Sequence, residues 1–326
     1  MNRWTAMLAL LLAVGVGLSA CTAQPRPDLQ APMPAPSLEK ALAQFAYEPN
    51  PFTVDAEVVE QYPTYDVLRV TFPAYFQDDP DNTQVIAWYY RQKTKQRRAG
   101  IVQIPILGGD YGPSKMFATR YAREGFHVLR FERKSEIFVP ANGLAHTRRV
   151  IISTVIDLRR GLDWWSEQPE VDAHRIGLSG ISFGGFMASI MMAVDDRPAA
   201  ATLMLNGGDF ATLVVTSQEE EVIEAREGFM KLKGWDEQTL YRNAAAMYAE
   251  IDPIVLAPRI KPQKVLFVSP KFDQVVPYYL ATRWWEAAGK PHRITLPTGH
   301  FSSVYFLFYI QDRCVEHFRR VFGYRE

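Results

Sequence analysis

Arg175-Ile176-Gly177-Leu178-Ser179-Gly180-Ile181-Ser182-Phe183-Gly184-Gly185-Phe186 sets a short apolar run, a serine between two glycines and the start of a second apolar stretch in direct succession. The run Arg175 to Gly180 has the length and composition of a buried strand, and the stretch from Phe183 onward suits a helix. The junction has the spacing G-x-S-x-G, and its strand-to-helix setting is the context that gives this spacing meaning. A serine in so sharp a turn takes a strained backbone conformation. The residues two before and two after it come so close together that a Cβ on either would clash. Gly180 and Gly184 meet that need. The N–H groups opening the next helix would then point at the serine oxygen, where negative charge could be stabilised, with Phe183 N–H the expected donor.

Working outward, short apolar runs alternate with longer amphipathic stretches, the pattern of strands joined by helical crossovers. Upstream, Ala56 to Tyr62, Val67 to Phe72 and Thr83 to Tyr90 are strand candidates rich in β-branched and aromatic residues, and their turn-rich links predict an antiparallel start. From Ile101 to Leu107 a buried strand is expected, followed by a helix over Ser114 to Glu124 and a strand over Phe126 to Phe131. Apolar Ile151, Val155, Leu158, Leu162 and Trp165 recur at helical spacing within Thr147 to Glu167. Downstream, strands are expected at Ala201 to Leu205, Val265 to Ser269 and His292 to Leu296, with helices over Pro277 to Ala288 and at the end of the chain. The result is an α/β class fold: a mostly parallel, doubly wound sheet with an antiparallel N-terminal edge. Residues 211–250, charged and helix-favouring, form an insertion that would lie beyond the carboxyl ends of the strands as a helical lid over a pocket. Its acidic run Glu219-Glu220-Glu221 reads as a solvated helix face.

A serine hydroxyl needs a base within hydrogen-bond reach and an acid that holds the base in the right tautomer. Asp273 follows one late strand in Phe272-Asp273-Gln274-Val275-Val276-Pro277, and His300 follows the last in Thr298-Gly299-His300-Phe301. Both sit at carboxyl ends of strands, in the chain order Ser, Asp, His. Asp209, after the strand Ala201 to Leu205, is a competing acid, and Asp273 could instead be a helix cap.

These three segments, Gly180 to Gly184, Asp273 to Pro277 and Gly299-His300, resemble the signatures of the α/β-hydrolase superfamily over roughly residues 50–326, in the manner of its dienelactone hydrolase-like and acetyl xylan esterase-like members. The resemblance implies a serine esterase with Ser182, Asp273 and His300 as catalytic triad, acting on a small-molecule ester through an acyl-enzyme. It implies a second oxyanion donor in Leu107-Gly108-Gly109-Asp110, with Gly109 N–H chosen and Asp110 N–H next. It implies no metal or organic cofactor. A peptidase or acyltransferase on the same fold is the alternative, as is a non-catalytic envelope-binding protein.

At the N-terminus, Arg3 precedes an apolar run, Met7 to Leu18, that ends in Leu18-Ser19-Ala20-Cys21. This resembles a bacterial lipoprotein signal peptide, residues 1–20, with lipidation at Cys21. The run is shorter than the ~20 residues needed to span hydrocarbon. The resemblance implies a lipid anchor in the cell envelope on the periplasmic side, with Thr22 favouring the outer membrane. Pro25, Pro27, Pro32, Pro34 and Pro36 predict an extended tether across residues 21–44, ahead of a hydrolase domain at 45–326.

Composition narrows the partners. Lys+Arg and Asp+Glu stand at 36 each, so no overall field draws the chain to nucleic acid. Apolar residues at 48% supply a core and argue against disorder. Cys314 is expected as a buried, inert thiol, and the pairs Trp164-Trp165 and Trp284-Trp285 as packing residues. Arg148 and Arg149 could border a pocket but read as ordinary surface arginines. The remaining histidines show no metal-ligand spacing.

Overall fold

Strands whose adjacent residues are both apolar can be buried on both faces only if helices cover both faces. The computed structural model, which describes residues 22–26, 28–29, 36–107, 112–132, 134 and 137–324, has this arrangement. Nine strands form one sheet: β1 (Asp55–Gln61), β2 (Tyr65–Pro73), β3 (Gln84–Gln92), β4 (Arg98–Ile104), β5 (His127–Phe131), β6 (Val171–Ile181), β7 (Pro198–Met204), β8 (Val265–Pro270) and β9 (His292–Leu296). Their order is β1-β2-β3-β5-β4-β6-β7-β8-β9. The first three strands and the β3–β5 pair are antiparallel, and every pair from β5–β4 to β8–β9 is parallel.

The helices follow as α1 (Leu38–Ala43), α2 (Gly112–Arg123), α3 (Gly143–Ser166), α4 (Phe183–Val194), α5 (Phe210–Thr216), α6 (Glu220–Lys233), α7 (Glu237–Tyr248), α8 (Pro253–Leu256), α9 (Tyr278–Ala287) and α10 (Leu307–Val321). One core cluster joins Phe117 and Tyr121 of α2 to Phe318 of α10, and it takes Ile101, Val128 and Leu266 from the strands. The other holds Val155 and Trp165 of α3, Met187 of α4 and Trp284 of α9, with Val102, Leu129 and Phe267. β4, β5 and β8 thus send successive side chains to opposite cores, the two-residue period expected of strands covered on both sides. Cys314 lies in the first cluster, and burial pushes its thiol up to about 12.

The expected elements and the folded ones differ in instructive places. The strand expected to reach Leu107 ends at Ile104, because Pro105 has no N–H to continue the ladder. Within the stretch expected as an extended tether, several described residues pack on the domain. Arg26 Nη2 reaches Glu237 Oε2 at 2.8 Å, and Leu29, Ala41 and Phe45 are buried in the main core. Helix α1 is started by Ser37, whose side chain accepts from Lys40 N–H. Cys21 and the apolar run before it lie outside the described residues. No described helix is long and apolar enough to cross a membrane.

Residues 211–250 form α5, α6 and α7, and they are not an appendage. Phe229, Leu240, Ala244 and Tyr248 belong to the main core cluster. The segment packs on the domain as the helical insertion expected after β7.

Candidate active site

Strand β6 carries the chain to Ile181, and α4 begins at Phe183, so Ser182 is the whole turn. Its backbone has φ 52 and ψ −120, a conformation an L-residue holds only when its surroundings impose it. The constraints are visible. Ser182 N–H donates to Met204 O at the end of β7 at 2.8 Å, and Ser182 O accepts from Gly185 N–H at 2.8 Å. A Cβ on Gly180 would fall 2.1 Å from Gly184 O, and one on Gly184 would fall 2.5 Å from Ile104 O. Glycine at both positions is therefore a steric requirement. Phe183, as the first residue of α4, presents one of the N–H groups without an intrahelical acceptor.

The loops after β8 and β9 meet this turn. Ser182 Oγ lies 3.0 Å from His300 Nε2, and His300 Nδ1 lies 2.7 Å from Asp273 Oδ2. Asp273 Oδ1 accepts from Val275 and Val276 N–H at 2.9 Å each, so the carboxylate is oriented by its own loop. That loop is tied to the His300 loop by Phe272 N–H donating to Thr298 O at 2.9 Å. The His300 loop is pinned in turn by Gly299 N–H donating to Ser302 Oγ and by Ser303 Oγ donating to Gly299 O. Burial disfavours the charged imidazole, but the charge and hydrogen bond of Asp273, with a further contribution from Glu219, raise the His300 pKa above its ordinary value.

Asp209 takes no part in this chain. It caps α5 by accepting from Thr212 N–H at 3.1 Å, and its other oxygen pairs with Arg283 Nη1 at 2.5 Å. Arg148 bonds Gln44 and Glu250, Arg149 pairs with Asp78, and neither lines the cleft. Trp165 and Trp284 are fully buried, as packing residues should be. Gly109 and Asp110, the expected second oxyanion donors, lie outside the described residues. No group of three potential ligands for a metal ion occurs among the described residues.

Ser182 opens onto a small cleft of about 90 Å³. Its walls are apolar: Phe138, Ile151, Phe186, Leu213, Val214 and Val276 are among the lining side chains. Glu219 borders the same cleft. Burial raises its pKa above the usual carboxylate value; His300 opposes that rise, while Glu221, Glu220 and Asp273 add to it. Of the acidic run expected to face solvent, the first member is turned inward. No local signal separates it from its neighbours, because which face of α6 meets the cleft is decided by packing between distant segments.

Comparison with solved structures places this architecture. Acetyl xylan esterase from Paenibacillus sp. R4 superposes with a TM-score of 0.64 at 18% identity, covering 87% of this chain and 97% of that one. Acetyl xylan esterase 1 from Thermoanaerobacterium sp. JW/SL YS485 gives a TM-score of 0.65 at 16% identity, covering 88% and 98%. The fold is the α/β-hydrolase fold. An acylaminoacyl peptidase from Pyrococcus horikoshii is similar at a TM-score of 0.55 and 16% identity, covering 78% of this chain but 41% of that one. A family model described as the prolyl oligopeptidase family matches residues 147–293, which include Ser182 and Asp273 but stop short of His300. Two uncharacterized proteins of Mycobacterium tuberculosis, from strains CDC 1551 / Oshkosh and H37Rv, are each 29% identical over 147 residues. That match spans 45% of this chain and 32% of each relative, so under a third of their length is shared.

Proposed function

We propose that this protein is a serine hydrolase that cleaves carboxylic esters through an acyl-enzyme, with Ser182 as nucleophile, His300 as general base and acid, and Asp273 as its orienting partner. The observation that carries the reading is the continuous hydrogen-bond path from Ser182 Oγ through His300 to Asp273, set on a strained turn and opening on an apolar cleft. In the mechanism, His300 Nε2 takes the Ser182 proton as Oγ attacks the carbonyl carbon. Asp273 stabilises the imidazolium formed and keeps Nδ1 protonated, so that Nε2 is the basic nitrogen. The charge that develops on the carbonyl oxygen falls to the N–H of Phe183 and to a second backbone donor, for which the sequence offers Gly109, with Asp110 next. His300 then passes its proton to the leaving oxygen, and water deprotonated by the same imidazole releases the acid.

The two acetyl xylan esterases superpose over nearly their whole length, which favours an ester substrate, whereas the peptidase matches over less than half of its chain. The prolyl oligopeptidase match supports a second reading, cleavage of an amide by the same groups. Assay of matched short-chain esters and amides decides between them: an ester rate that Ser182→Ala does not abolish removes the first reading, and amide turnover at a comparable rate installs the second. We further propose that Cys21 is lipidated and tethers the domain to the bacterial envelope, on the periplasmic side. Incorporation of labelled palmitate that persists after Cys21→Ser would overturn that.

A further inference from the structure

The walls of the cleft beside Ser182 include Ile151 of α3, Phe186 of α4, and Leu213 and Val214 of α5. Thr147 and Ser217 also line it, but their hydroxyls serve the protein's own backbone. Thr147 Oγ1 donates to Ile137 O at 3.1 Å, and Ser217 Oγ accepts from Glu219 N–H at 3.2 Å. An ionic or hydroxylated group entering this space would lose its water and gain few partners. An apolar chain would gain its burial.

The place of His300 decides which part of an ester enters. The imidazole must hand its proton to the leaving oxygen, so the alcohol portion lies on the His300 side of Ser182 and the acyl portion points away from it. The cleft lies on the acyl side. Among the described residues His300 and Phe301 do not line it, whereas Phe183, whose N–H is the expected oxyanion donor, does. Beyond His300 the surface is open: Phe301, its ring 5.5 Å from that of His300, is 44% exposed, and Tyr305 is 63% exposed. The acyl side is closed by packed side chains. Phe186 stands one helical turn beyond Ser182, its N–H donating to Ser182 O at 3.2 Å, and its ring packs on that of Phe210 with centroids 5.4 Å apart.

We propose that the cleft is the acyl site and that Phe186, Leu213 and Val214 are specificity-determining residues, which select esters of short apolar acids and leave the alcohol portion largely unselected. The inference rests on the reading of Ser182 as nucleophile and narrows its substrate class. A cleft of about 90 Å³ holds roughly three groups the size of a water molecule, at ~30 Å³ each, so with the carbonyl carbon at Ser182 the preferred acyl group has about four carbons.

The test uses two ester series on the full chain: p-nitrophenyl esters of straight-chain acids of two to ten carbons, and butanoate esters of primary straight-chain alcohols of two to ten carbons. In the first series kcat/KM rises ~4-fold with each methylene from acetyl to butanoyl, as burial of one methylene allows. At ten carbons it lies ~10-fold or more below its maximum, because the packed wall resists overfilling. In the second series it changes by less than ~4-fold, the worth of a single buried methylene. An acyl maximum outside three to six carbons, or none, overturns the proposal on the wild-type protein alone. A sharp maximum in the alcohol series overturns it too, since the cleft would then hold the leaving group. Val214→Phe narrows the cleft and moves the acyl maximum to fewer carbons, and Phe186→Leu widens it and moves the maximum to more. A maximum that stays in place in both variants, while both react with a fluorophosphonate at Ser182, overturns the assignment of these residues; where a variant does not fold, the wild-type series decides. If Ser182 of the wild-type protein labels and the acyl series fails, the acyl-site inference fails alone; if Ser182 does not label, the hydrolase reading fails with it.

Discussion

The two sides of the cleft are held by different physics. The side carrying Ser182, Asp273 and His300 is fixed by backbone geometry: a serine at positive φ, glycines with no room for a Cβ, and loops stitched by main-chain hydrogen bonds. The opposite wall, α5 to α7, is fixed by side-chain burial, with Phe229, Leu240 and Tyr248 sunk into the main core. Hydrogen-bonded loops resist small displacements of reacting atoms, which catalysis needs to within a fraction of an ångström. A packed wall tolerates changes of shape at modest cost, which suits a surface that selects substrates. Changes on the first side should therefore appear in kcat, and changes on the second in stability and KM.

The largest effect belongs to Ser182, the proposed nucleophile. Ser182→Ala is expected to lower kcat for ester hydrolysis by ~10³-fold or more while leaving the melting temperature near the parent value. Asp273→Asn should follow, at about 10³- to 10⁴-fold, since an amide at that site favours the wrong imidazole tautomer. The control on the same scaffold is Asp209→Asn, which loses a helix cap and an ion pair and should cost about 1–3 kcal/mol of stability without a comparable loss of kcat in the folded fraction. If the Asp209 variant is inactive and the Asp273 variant active, the assignment of the acid is wrong.

On the packed wall, Phe229→Ala removes a ring that is 1% exposed and should destabilise the fold by about 3–5 kcal/mol, read by denaturant unfolding, with KM moving more than kcat. The smallest effect is electrostatic. As the proposed base, His300 must be neutral to accept the serine proton, and its pKa lies above the ordinary imidazole value, so kcat/KM should fall as pH drops through that raised pKa. Removing the negative charge of Glu219 destabilises the imidazolium, so Glu219→Gln should move this acid limb to lower pH, by less than about one unit. A limb that stays in place would show that Glu219 does not act on His300.

The same division explains what the sequence makes legible. Gly180, Ser182 and Gly184 are readable because the turn itself is local and a Cβ on Gly180 would meet Gly184 O four residues on, although the atom that bars a Cβ on Gly184 belongs to distant Ile104. Asp273 and His300 are readable because each follows a short strand by a few residues, apolar β8 for the first and β9 for the second. The antiparallel edge is readable from its short turns, although the exchange of β4 and β5 in the sheet order has no local signature. Glu219 is not readable, because three consecutive glutamates look alike until α6 is packed against the cleft. The docking of Leu29 and α1 is masked by the prolines between them, even though Ser37 is a good helix cap. Where structure is set by neighbours in the chain, the residues announce it; where it is set by burial against distant segments, they do not.

The central claim is that Ser182 is an activated nucleophile, and its most direct test is the rate and site of fluorophosphonate labelling, mapped by peptide mass spectrometry on the full chain. The structure leads us to expect modification at Ser182, none in Ser182→Ala, and much slower modification in His300→Ala and Asp273→Asn. A folded protein that is not modified at Ser182, or a His300→Ala variant that reacts as fast as the parent, would contradict it.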